Sequence, residues 1–134
     1  MKRKFKINKR IFYTNPFDIF KKHKVDILFE AIGLSDGVSK KIVEKALKSK
    51  VHVITPNKAL ISQHGNYLAK LAEKNNVNLE FEASVAGGIP ILRSIKEGLA
   101  TNKITKIYGI LNGTSNYILS EMENSNQKFN NVLI

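Results

Sequence analysis

Three short stretches gather residue types that can do chemistry. The first is Thr55-Pro56-Asn57-Lys58, which stops the apolar run Val51-His52-Val53-Ile54 and opens a helix. A lysine on a first helical turn meets an unfavourable dipole unless something anionic or polar lies opposite. At the carboxyl end of a strand, the Lys58 ammonium can touch a cofactor or a substrate oxygen. The other reading is a solvated side chain spread over the turn. The second stretch is Glu82-Ala83-Ser84-Val85-Ala86-Gly87-Gly88-Ile89-Pro90. Its glycine pair lets a ligand approach the backbone closely, and Pro90 suits the first turn of a helix. The Glu82 carboxylate and the carbonyls of Val85 and Gly87 can converge on a hard cation, or Glu82 can accept amide hydrogen bonds from the turn. The third is Asn112-Gly113-Thr114, where Thr114 can hydrogen-bond a substrate, and Thr114 or Ser115 can instead cap a helix.

Each stretch needs a strand end to carry it. Val25-Asp26-Ile27-Leu28-Phe29-Glu30-Ala31-Ile32 is short, mostly apolar and closed by Gly33, which predicts a parallel-sheet strand covered on both faces. Ser35 or Asp36 is placed to cap a helix with Val38, Ile42, Val43, Ala46 and Leu47 on one face. Val51 to Ile54 predicts a second strand, within which His52 reads as a packed residue rather than a ligand, because no second ligand stands at a metal spacing. Leu60, Ile61, His64, Leu68, Leu71 and Ala72 share one side of the next helix, which Asn75-Asn76 closes. Val77 to Ala83 alternates with period two and predicts a third strand. Ile91, Leu92, Ile95 and Leu99 predict a third helix, Ile104 to Leu111 a fourth strand, and Ile118, Leu119 and Met122 a final helix. Upstream, Asn15-Pro16 marks a turn, with one short helical turn over Pro16 to Phe20. Alternating strands and helices define an α/β fold on a mostly parallel sheet, with ligands expected at the strands' carboxyl ends.

Composition narrows the function classes. The net charge is +11 over 134 residues, and Lys2, Arg3, Lys4, Lys6, Lys9 and Arg10 crowd the beginning. Such a chain invites a nucleic-acid reading. That remains the alternative class, driven by the basic arm, but nucleic acid is not the expected partner: no helix-turn-helix, zinc-finger spacing or stacking-aromatic pattern accompanies the charge. A content of 43% hydrophobic and 25% charged residues is that of an ordinary globular protein. The chain has no cysteine, which excludes a disulfide scaffold or thiolate metal site. No apolar run approaches membrane-spanning length, and no signal-peptide core follows the basic start. No membrane association is expected, and a cytoplasmic location is. No G-x-G-x-x-G follows a strand, so the usual pyrophosphate cradle of a dinucleotide-binding unit is not seen.

Several blocks together carry a family resemblance. They are Asn15-Pro16-Phe17-Asp18-Ile19, Glu30-Ala31-Ile32-Gly33, His52-Val53-Ile54-Thr55-Pro56-Asn57-Lys58-Ala59-Leu60, the segment from Phe81 to Pro90, and Gly109-Ile110-Leu111-Asn112-Gly113-Thr114-Ser115-Asn116-Tyr117. In these the chain resembles homoserine dehydrogenases, which interconvert aspartate semialdehyde and homoserine with NAD or NADP on the route to threonine and methionine. The resemblance implies a partial Rossmann-like parallel sheet with flanking helices, running into the start of an α+β substrate domain. Residues 1–24 would be a basic segment, 25–102 the later half of a cofactor-binding domain, and 103–134 the opening of the substrate domain. Ile32, Gly33, Thr55 and Lys58 correspond to cofactor contacts, with Lys58 also the candidate catalytic lysine. Gly113 and Thr114 correspond to the edge of the substrate pocket, and Glu82, Val85, Gly87 and Ile89 to a monovalent-cation site, usually sodium. Compared with the family pattern, a glycine-rich loop before Asn15 and a second lysine with acidic substrate ligands after the last residue are expected but not seen. That implies a truncated member with little turnover alone, or one part of a split enzyme completed by another polypeptide. Full-length relatives of this kind are expected to be homo-oligomers.

Overall fold

The computed structural model describes residues 11–110 and 112–133, so the basic arm at residues 1–10 lies outside the described residues. Two compact units divide the chain, Met1–Gly87 and Gly88–Ile134.

In the first unit, strands β1 (Ile27–Phe29), β2 (His52–Ile54) and β3 (Leu79–Glu80) run parallel in the order β1-β2-β3. Asn15 caps a 3-10 turn at Pro16–Asp18, which leads into the single turn α1 (Ile19–Lys22). Helix α2 (Val38–Lys48) connects β1 to β2, and α3 (Lys58–Asn75) connects β2 to β3. Alternation along a strand sends neighbouring side chains to opposite faces. The register aligns Leu28, Val53 and Leu79 in one row across the sheet. That row is the covered one, with Val53 and Leu79 buried.

Against it α2 contributes Ile42, Val43, Ala46 and Leu47, and α3 contributes Leu60, Leu68 and Ala72. These are the positions that the helical spacing predicts for the inner faces, apart from Val38, which is exposed. Leu47, Leu60 and Leu68 are fully buried, each contributing about 1.5–3 kcal/mol. The other face of the sheet differs from the expectation of a doubly covered strand: Ile27 is 58% exposed and Phe29 65%. No element among the described residues lies over them, so the apolar run of β1 is wet on one side.

Local hydrogen bonding sets the helix ends. Asn57 caps α3, its Oδ1 accepting from the Leu60 amide at 3.1 Å, and Asn76 closes the helix in the left-handed conformation at φ 55°. Gly37, not Ser35 or Asp36, occupies the N-cap of α2. The Asp36 carboxylate is engaged elsewhere, with His64 Nε2 at 2.9 Å and the Ser35 hydroxyl at 3.1 Å. β3 is shorter than its alternating pattern predicts. At Phe81 the backbone leaves the extended region, and a 3-10 turn, Glu82–Ser84, follows. Both the amide and the hydroxyl of Ser84 bond back to the Phe81 carbonyl.

The second unit holds one α-turn, α4 (Ile91–Arg93), running into a π-turn at Ser94–Gly98, then α5 (Gly113–Ser125) and α6 (Phe129–Val132). Residues 91–98 are therefore about two turns of mixed pitch rather than a regular helix. Ser94 Oγ donates to the Pro90 carbonyl at 2.7 Å, a bond that bends helices. Residues 103–110 form no strand, contrary to the pattern over Ile104 to Leu111, and Leu111 lies outside the described residues. Ile107 and Ile110 are exposed there. A strand exists only as a pair, and no partner strand is available among the described residues of this unit. Asn112, rather than Thr114 or Ser115, caps α5 by accepting from the Ser115 amide at 2.8 Å. Among the described residues no helix is long and apolar enough to cross a membrane.

Candidate active site

β1 and β2 end side by side, and the turns that leave them share one buried polar cluster. The Glu30 amide donates to the Ile54 carbonyl and the Thr55 amide to that of Glu80, each at 2.9 Å, which carries the ladder one step beyond the strands. Glu30 is only 2% exposed. Its Oε1 accepts from the Ile32 amide at 2.7 Å, from Ser39 Oγ at 3.0 Å and from Asn57 Nδ2 at 3.4 Å. Its Oε2 accepts from Thr55 Oγ1 at 2.6 Å. Thr55 Oγ1 in turn accepts from the Asn57 amide at 3.0 Å, while Asn57 Nδ2 donates to the Leu34 carbonyl at 2.8 Å. Burial pushes the Glu30 carboxyl up, but the bonds from Thr55, the Ile32 amide, Ser39 and Asn57 outweigh it and hold the group below its ordinary value. Glu30 is therefore a carboxylate at neutral pH.

Over this cluster lies an open cleft of about 550 Å³, with Gly33 on its wall together with Pro56, Asn57, Lys58 and the α3 residue Ser62. Gly33 has φ +88°, and an added Cβ would meet nothing within 4 Å. Glycine is thus required there by the backbone conformation and not by crowding. Lys58 is exposed at the first position of α3, and among the described residues no carboxylate forms an ion pair with it. An ammonium beside the first amides of a helix makes the cleft complementary to an oxygen-rich or anionic ligand.

The residues singled out in the sequence fall into distinct places. Gly33 and Lys58 face one cleft, Thr55 is buried and bonded to Asn57 of its wall, and the Ile32 amide is tied to Glu30 while the residue is 48% exposed. Glu82 opens the 3-10 turn, whose end places the Val85 amide 3.1 Å from the Glu82 carbonyl. Gly87 follows Ala86, which has φ 49°. Ile89, Gly113 and Thr114 belong to the second unit, the latter two as the first residues of α5. His52 is exposed, its Nδ1 accepting from the Asn78 amide at 3.0 Å. Sequence reasoning passed over Glu30, Ser39 and the capping role of Asn57. The available signal was a carboxylate set inside an apolar strand, immediately before the Gly33 turn.

The sequence model described as "Homoserine dehydrogenase, NAD binding domain" matches residues 2–82. The chain belongs to the homoserine dehydrogenase family. A second model of the family, "Homoserine dehydrogenase", matches residues 90–134. The homoserine dehydrogenase of Neisseria gonorrhoeae is 47% identical over 122 residues, 91% of this chain, and that of Bacillus subtilis 42% over 132 residues, 98% of this chain. The crystal structure of a homoserine dehydrogenase from Thiobacillus denitrificans superposes with a TM-score of 0.81 at 43% identity, over 90% of this chain and 28% of that one. The present chain spans 28% of the length of the Neisseria relative and 30% of the Bacillus one. The three parallel strands among the described residues, with their helices, accordingly form the Rossmann-like part of the homoserine dehydrogenase architecture that the family model describes as its NAD binding domain.

Proposed function

We propose that this chain serves the homoserine dehydrogenase reaction, the NAD(P)-dependent interconversion of L-aspartate 4-semialdehyde and L-homoserine, in cytoplasmic threonine and methionine biosynthesis. One observation carries the reading: at the carboxyl ends of two adjacent parallel strands, Gly33 and Lys58 line one open cleft, and the buried Thr55 bonds to Asn57 of its wall. Ligands of open α/β sheets gather in that position.

In this reading Ile32 and Gly33 bring backbone groups to the nicotinamide half of the cofactor, and the positive φ at Gly33 keeps that wall of the cleft free of a side chain. Thr55 braces the floor through Glu30. Lys58 orients an oxygen of the cofactor or substrate by a charge-assisted hydrogen bond. The bound dinucleotide supplies or accepts the hydride. Gly113 and Thr114 are assigned to the substrate, within residues 103–134 as its binding region, and residues 25–102 to the cofactor. A sodium ion is assigned to Glu82, Val85 and Gly87 of the first unit; Ile89, the fourth residue of that assignment, belongs to the second unit. Of these residues only Glu82 carries a carboxylate and the rest could offer backbone oxygens, ligands that suit a hard cation. Association with further polypeptide, as copies of the chain or as a complementing one, belongs to the same reading. The exposed Ile27 and Phe29 on β1, the outer strand of the sheet among the described residues, support it.

The test is a fluorescence titration of NADPH with the purified chain, followed through the emission of the reduced nicotinamide. Saturable enhancement is expected, weakened about tenfold or more in Lys58→Ala, the loss of one bond to a charged group. A folded chain that leaves the emission unchanged, or a Lys58→Ala variant that binds equally well, would overturn the proposal.

A further inference from the structure

We infer that Glu30 is the positioning residue of the Lys58 cleft: its carboxylate ties the Gly33 turn to the Thr55–Asn57 turn, and so fixes the walls between which the nicotinamide group sits. The inference rests on the cofactor reading given above. Among the described residues, the buried polar or charged side chains are Glu30, Ser39, Thr55, Asn57 and Ser84, and the first four form this one cluster. Burying a carboxylate without a cation is costly, and removing it in favour of apolar packing would often stabilise a fold. No basic side chain among the described residues pairs with Glu30.

What the carboxylate accomplishes is geometric. Its four donors come from three segments: Ile32 in the turn after β1, Ser39 at the start of α2, and Thr55 and Asn57 in the turn from β2 into α3. Gly33 follows the Ile32 amide directly, and Lys58 follows Asn57, so both walls of the cleft are one residue from an atom bonded to Glu30. The Leu34 carbonyl, bonded to Asn57 Nδ2, closes the same loop from the other side of Gly33. A glutamine at this position keeps the size and, with its carbonyl in place of Oε1, three of the contacts, but its Nε2 cannot accept from Thr55 Oγ1: that bond survives only reversed, with the charge lost and the Thr55 hydroxyl proton without its acceptor.

The experiment compares the full chain with Glu30→Gln, Glu30→Asp and Ser39→Ala by NADPH titration and by amide hydrogen exchange in the absence of ligand. In Glu30→Gln we expect NADPH affinity to fall about tenfold and exchange at Ile32 and Asn57 to accelerate by a similar factor. The core amides of Leu47 and Val53 keep their wild-type rates. Glu30→Asp, with the charge retained one methylene short, recovers part of the affinity. Ser39→Ala, which removes one donor, lowers affinity about threefold and stands in if Glu30→Gln does not fold. Unchanged NADPH affinity in folded variants would overturn the inference, as would core amides that accelerate in step with Ile32, since the carboxylate would then serve global stability alone. If the wild-type chain binds no NADPH, the cofactor reading falls. The positioning role is then decided by exchange: selective acceleration at Ile32 and Asn57 supports it, and its absence refutes it.

Discussion

Replacing Thr55 with valine tests the cluster at its shortest contact. Valine keeps the branched shape, so the packing of this buried residue changes little, and the loss is confined to one hydroxyl. That hydroxyl donates to Glu30 Oε2 at 2.6 Å and accepts from the Asn57 amide at 3.0 Å. A hydrogen bond to a charged group contributes about 1.5–3 kcal/mol, and a buried amide left without an acceptor costs about 1–3 kcal/mol. Sharing of the same hydroxyl makes the two effects less than additive, and the expected loss is about 3 kcal/mol. Thr55→Ser, which retains the hydroxyl and loses one methyl, should cost about 1 kcal/mol. Urea unfolding followed by far-ultraviolet circular dichroism reads both, with an unchanged m-value. For a unit of this size the valine variant corresponds to a melting temperature lower by about 12 °C or more.

The pH dependence adds a second check on the same variant. Because the folded Glu30 carboxyl lies below its ordinary value of 4.5, its contribution is complete above that pH and is lost as pH falls through the folded value. The advantage of wild type over Thr55→Val should therefore hold at neutral pH and shrink in acid. A valine variant no less stable than the serine variant, or a difference independent of pH down to the acid limit, would refute the reasoning.

Other perturbations follow from the same structure. Leu47→Ala, at a fully buried position, should cost about 2–5 kcal/mol in a denaturant titration. Lys50 is held at φ 60° in the turn between α2 and β2. Lys50→Gly should relieve that strain and stabilise the chain by about 1 kcal/mol, visible as a higher melting temperature. Asn57→Ala removes the α3 cap and the bond to the Leu34 carbonyl. Its expected cost is about 2 kcal/mol, with amide exchange accelerated first at Leu60.

Much of the sheet unit was legible because burial follows period. Ile42, Val43, Ala46 and Leu47 recur at helical spacing and are buried, and the apolar runs around Leu28 and Val53 are strands. Lys58 and Gly33 were legible as strand-end residues because a strand followed by a stop leaves few other places for them. What escaped depended on partners distant in the chain. Glu30 finds its donors at positions 39, 55 and 57, and no local spacing announces that convergence. Asp36 looked like a cap, but a neighbour on α3, His64, takes its carboxylate. The Ile104 to Leu111 pattern has strand composition, yet no adjacent chain among the described residues of its unit to pair with. The Ile91 to Leu99 pattern has helical spacing, but from Ser94, whose amide and hydroxyl share the Pro90 carbonyl, the chain widens into a π-turn.

The most direct test of the central claim is a crystal structure of the chain with NADP bound. The account predicts the nicotinamide ring in the cleft between Gly33 and Lys58, with the Glu30 cluster intact beneath it. A nicotinamide ring lodged elsewhere, for instance against the exposed Ile27 and Phe29, with Lys58 facing only solvent, would contradict it.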